Sequence, residues 1–78
     1  MINLQETLVD IAKAIVDSPE EVKVVQEEDD NTITLTLTVA PDDMGMVIGR
    51  HGKIAKAIRT MIKAASANTG KKVNVDIP

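Results

Sequence analysis

Apolar residues recur along the chain with two different periods, and each change of period marks an element boundary. Leu4, Leu8, Ile11 and Ile15 follow one another at steps of four, three and four, with Glu6, Asp10, Lys13 and Asp17 between them. That is the repeat of an amphipathic helix. Ser18-Pro19 should end it, because proline disfavours helical geometry in the residue before it. Val22, Val24 and Val25, set among charged neighbours, predict a strand of about six residues, with Glu28-Asp29-Asp30-Asn31 as its turn. Ile33, Leu35, Leu37 and Val39 then alternate with Thr32, Thr34, Thr36 and Thr38. This predicts a strand with one buried face and one threonine face open to water.

Pro41-Asp42-Asp43 ends that strand and offers an N-cap for a short helix, Met44 to Ile48, which the glycines at 49 and 52 interrupt. A second helix begins there. With Lys53 at zero on a wheel of about 100° per residue, Ile54, Ile58, Met61, Ile62 and Ala65 fall between about 80° and 180°. Lys56, Arg59 and Lys63 fall between about 240° and 300°, so an apolar face stands opposite a basic one. Ala57, Thr60, Ala64 and Ala67 make a third seam of small residues. Asn68, Thr69 and Gly70 close the helix, and Val73, Val75 and Ile77 alternate as a last strand. The first two strands, tightly joined, should pair antiparallel. The helical segment after the second is long enough for a right-handed crossover to a parallel third. The expectation is an α+β fold of order αββααβ, a three-stranded mixed sheet with helices on one face, in a single domain over residues 1–78. No internal repeat or linker is visible.

Composition narrows the function. A chain of 78 residues buries only about 60–65% of the surface its unfolded form exposes, so its stability should be modest. The apolar content is 44% without a single Phe, Tyr or Trp, and the core must be aliphatic. With no cysteine, neither disulfides nor a thiolate metal site can reinforce it. The apolar residues near the amino terminus are interrupted by Gln5, Glu6 and Asp10, unlike a signal peptide, and no run approaches the ~20 apolar residues of a membrane span. A cytoplasmic location is expected. The net charge of −3 hides an asymmetry: residues 1–43 carry eleven acids against Lys13 and Lys23, a net −9. Residues 44–78 carry Arg50, Lys53, Lys56, Arg59, Lys63, Lys71 and Lys72 against Asp76, a net +6. The local field at a site governs recruitment of a polyanion more than the total charge does.

That basic half contains Val47-Ile48-Gly49-Arg50-His51-Gly52-Lys53-Ile54. Two glycines three apart let the chain turn sharply and let another backbone approach closely. The helix that follows begins with amide hydrogens lacking intrahelical partners and with a dipole that favours negative charge, so a phosphate is the natural guest. Arg50 and Lys53 add charge, Lys56 extends it, and Ile48, Ile54 and Ile58 would form an apolar wall against which bases can lie. The glycines do not fit a dinucleotide fingerprint, since Gly45, Gly49 and Gly52 have the wrong spacing and the loop does not directly follow a strand. His51 is the only histidine, which leaves no ordinary metal site and no oriented general base. Ser18 and Ser66, at predicted helix ends, are explained by capping, and no catalytic residue, cofactor or metal is expected.

The signature Ile48-Gly49-Arg50-His51-Gly52 followed by Ile54 and Ile58, between two helices, resembles that of KH domains, whose Gly-x-x-Gly loop clamps about four nucleotides. The order of elements resembles the type II arrangement over essentially the whole chain, and in particular the stand-alone bacterial KH proteins of the KhpA family. The resemblance implies single-stranded RNA binding between the helix-loop-helix and the last strand, with residues 68–72 as the variable loop. RNA chaperoning or post-transcriptional regulation would follow. The absence of aromatics agrees, because an aliphatic groove can serve where other RNA modules stack bases on rings. The rival is an interaction scaffold with little RNA affinity. The seam of Ala57, Thr60, Ala64 and Ala67, bordered by Met61, allows close helix approach. It would pack against the first helix of the same chain or against a second chain, as a homodimer or, as the resemblance implies, a heterodimer with a companion KH protein.

Overall fold

The computed structural model describes residues 3–67 and 69–77. Helix α1 (Leu4–Ile15) begins on Asn3, whose side chain accepts the Glu6 N–H at 3.2 Å. It ends three residues before the expected Ser18, because Val16 turns extended and drops into the core. The stripe it buries is Leu4, Leu8 and Ala12, with Ile11 and Ile15 half-buried at its margin. After a 3-10 turn at Pro19–Glu21 come β1 (Lys23–Glu28) and β2 (Thr32–Thr38). They pair antiparallel, with Val24 opposite Leu37 and Gln26 opposite Leu35. The tip is shaped by Asp29, whose carboxylate accepts the N–H groups of Asn31 and Thr32 at 2.8 and 2.7 Å.

A 3-10 turn at Pro41–Asp43 leads into α2 (Met44–Ile48), and a second at Arg50–Gly52 leads into α3 (Lys53–Ala65). The last strand, β3 (Lys72–Asp76), pairs parallel to β2, placing Ile33 beside Val73 and Leu35 beside Val75. The sheet order is β1-β2-β3, as the connection lengths require. All helices cover the face from which Val24, Ile33, Leu35, Leu37, Val73 and Val75 project, and the threonines occupy the other face. Ile58 and Ile62 of α3 and Val47 of α2 complete this aliphatic core, each with no accessible surface.

Two sequence expectations need correction here. Asp43 does not cap its own short helix. It is 2% exposed, and its carboxylate accepts the N–H groups of Ser18 at 3.0 Å and Asp17 at 3.4 Å, tying the end of α1 to the start of α2. Helix α3 also sits rotated from the predicted wheel: Ala55, Ile58 and Ile62 are buried, whereas Ile54 and Met61 are 37% and 46% exposed. The sheet lies under the sector between about 140° and 200°, so residues near 80° to 100° fall at its rim. Of the predicted helix end at residues 68–70, position 68 lies outside the described residues; Ser66 caps α3, and Gly70 turns with φ +72°.

Candidate nucleic-acid interface

The loop between α2 and α3 holds three left-handed residues in four: Gly49 at φ +72°, His51 at φ +57° and Gly52 at φ +73°. Histidine is among the few side chains that tolerate this region, at some cost. Gly49 has a second constraint, because a Cβ there would lie 2.6 Å from Ile54 Cγ1. Ile54 therefore folds back over the Gly49 backbone, next to Ile48. The loop's own hydrogen bonds engage the N–H of Gly49 with Gly45, of Gly52 with Gly49 and of Lys53 with Arg50. The N–H groups of Arg50 and His51 have no backbone partner among the described residues. These donors thus sit three and two residues before Lys53, the first residue of α3.

Arg50, His51, Lys53 and Lys56 are exposed, and Ile48 and Ile54 are more than a third exposed beside them. These residues form one surface: a cationic loop with an apolar ledge. Ile58 does not belong to it. Four residues after Ile54 it lies about 40° further round the helix, which carries it fully into the core, so it supports the ledge from below.

Arg59 lies outside the set of site residues expected from the sequence. It lies on the same basic stripe as Lys56 and Lys63, and its Nε–H donates to the Val75 carbonyl at 3.2 Å. That bond spans from α3 to β3, an edge strand of the sheet. Only membership of the basic stripe was visible beforehand, since the partner is a backbone atom sixteen residues away.

Ala57, Thr60, Met61, Ala64 and Ala67 are all exposed. The small-residue seam therefore does not pack on α1. At the opposite end of the sheet from the loop, Lys71 pairs with Glu28 and donates to the Asp29 carbonyl at 3.0 Å. The Lys71 hydrogen bond and charge hold the Glu28 carboxyl below its usual 4.5. The N–H groups of Asn31 and Thr32 hold Asp29 below 3.8. Among the described residues no group of three His, Cys, Asp or Glu could hold a metal ion, and no helix is long and apolar enough to cross a membrane.

Comparison with known proteins gives the same outline. A solved structure of Aquifex aeolicus Era, bound to GDP.AlF4-, superposes with a TM-score of 0.70 at 16% identity over 95% of this chain and 29% of that one, a likeness of fold alone. The RNA-binding protein KhpA of Clostridium acetobutylicum is 51% identical over 74 residues, covering 95% of this chain and 99% of the relative. Proteins of the same name from Listeria monocytogenes and Bacillus subtilis are each 43% identical, over 95% and 96% of this chain and 97% and 93% of theirs. The family model described as KhpA/KhpB, KH domain, matches residues 5–77. The chain belongs to the KhpA/KhpB KH-domain family.

Proposed function

We propose that this protein is a non-catalytic module that binds single-stranded RNA, taking about four nucleotides through the Gly49–Gly52 loop and the ledge of Ile48 and Ile54. The observation that carries it is the loop itself. Three positive-φ residues leave the N–H groups of Arg50 and His51 without a backbone partner among the described residues, amid exposed Arg50, Lys53 and Lys56 and beside an apolar surface on which a base can lie. Backbone donors and cations take the phosphates, and the isoleucines take one face of a base. The relatives named RNA-binding protein KhpA support this reading over nearly their whole length. A role as an RNA chaperone or post-transcriptional regulator in the cytoplasm accords with a short footprint.

The exposed seam of Ala57, Thr60, Ala64 and Ala67 with Met61 favours a paired state, either a homodimer or a heterodimer with a companion KH protein. Two linked grooves raise the effective concentration of each for one RNA and offset the weakness of a single site.

The decisive test replaces Arg50 and His51 together by aspartate and titrates a fluorescent single-stranded RNA. Both residues are exposed, so the circular dichroism spectrum should stay unchanged while binding weakens at least tenfold. A folded double variant with undiminished affinity would place any RNA site elsewhere.

A further inference from the structure

We infer that Arg59 is the base-reading residue of this groove and that the base it selects is guanine, an inference that rests on the RNA-binding reading above. Arg59 stands six residues into α3, roughly 9 Å along the axis from Lys53, and so lies beyond the phosphate-clamping loop. Lys72 directs its N–H inward to the Asn31 carbonyl at 3.0 Å. Alternation along a parallel ladder then turns the backbone groups of Val73 and Val75 outward, toward the open edge. The Arg59 Nε–H meets Val75 on that edge. One wall of the groove thus braces a side chain rooted in the other. With phosphates held at the loop, bases point across the groove toward β3, and Arg59 is the cation in their path.

Bracing decides the chemistry. A guanidinium is a rigid planar fork of five N–H donors. With Nε committed to Val75, the two terminal amino groups remain as a pair of donors in a fixed plane, and neither has a hydrogen-bond partner among the described residues. A donor pair calls for an acceptor pair. Guanine offers O6 and N7 side by side, the geometry arginine contacts most often, whereas adenine sets the N6 donor beside N7. Uracil separates its two carbonyls by an N–H. Lys56 and Lys63 flank Arg59 on the same exposed stripe. Asp76, the nearest acid along β3, projects by alternation to the threonine face and does not compete for the fork.

The test measures binding of tetranucleotides that carry each base in turn at each position, together with 7-deazaguanine, which lacks the N7 acceptor. At one position the unaltered protein should prefer guanine over adenine and uracil by about tenfold, and 7-deazaguanine should lose most of that preference. Arg59→Lys should bind all sequences at similar strength without the preference, because an ammonium cannot present the fork. Preference for cytosine, whose O2 and N3 are also neighbouring acceptors, would overturn the choice of base. An Arg59→Lys variant that loses affinity equally for every sequence would make Arg59 a phosphate contact. Tight binding with no base preference defeats this inference alone, while failure of every tetranucleotide to bind defeats the RNA-binding reading with it.

Discussion

Gly49 and Gly52 share nearly the same positive φ, but different neighbours stand over them. At Gly52 a Cβ would meet nothing within 4 Å, whereas at Gly49 it would collide with three atoms of Ile54. Gly52→Ala should therefore cost only the left-handed backbone strain, about 1 kcal/mol. Gly49→Ala adds displacement of Ile54 and, at ψ 179°, a backbone region open essentially to glycine alone, and should cost about 2–3 kcal/mol in urea unfolding. Equal losses at the two sites would show that Ile54 does not hold the loop. The glycine pair and its cations were legible from spacing alone. The Ile54 fold-back was not, because it depends on the path that three positive-φ residues take, and His51 gives no sequence cue to its own conformation.

Among the elements, Asp43 is the least predictable part. A Pro-Asp-Asp run before a helix reads as a local cap, yet Asp43 instead accepts from backbone groups twenty-five and twenty-six residues away. Asp43→Ala would take the acceptor from those part-buried N–H groups and should cost about 1–3 kcal/mol. Asp43→Asn keeps an acceptor and should lose less, a ranking that chemical denaturation can check. The period-two strands were legible to within a residue at their ends, Val39 and Ile77 falling just outside, since alternation fixes which face is buried whatever the partner. Helix α3 was less so, because a broad apolar arc does not say which of its edges meets the sheet, and Ile54 and Met61 fell outside. Its seam is exposed, so Ala64→Arg should leave the fold intact but abolish the pairing proposed above. Light scattering of both proteins at high micromolar concentration checks this: unfolding of the variant would make the seam part of the core, and a monomeric unaltered protein would exclude the homodimer.

At the scale of the whole molecule, the acidic hairpin and the basic loop occupy opposite ends of the sheet, with Lys71 clamped to Glu28 at the acidic one. The folded-state carboxyls of Glu28 and Asp29 lie below their usual values, so their contribution to stability is complete above 4.5 and 3.8 and is lost as pH falls through and below those values. The urea midpoint should be level from about pH 7 to about pH 5 and decline below. Lys71→Met should soften that decline, and a midpoint that rises on acidification would contradict the assignment. RNA affinity should be near micromolar, with a salt slope of about −2, since each phosphate contact on a single strand contributes about −0.7. A slope of about −5 or steeper would mean a much larger contact surface. The most direct test of the groove is amide chemical-shift mapping as a single-stranded tetranucleotide is added. Shifts should concentrate at residues 48–54, along Lys56, Arg59 and Lys63, and at the Val73–Val75 edge, while Thr34, Thr36 and the hairpin tip at 28–31 stay still. Shifts centred on the threonine face or the hairpin tip, with the Gly49–Gly52 loop silent, would contradict it.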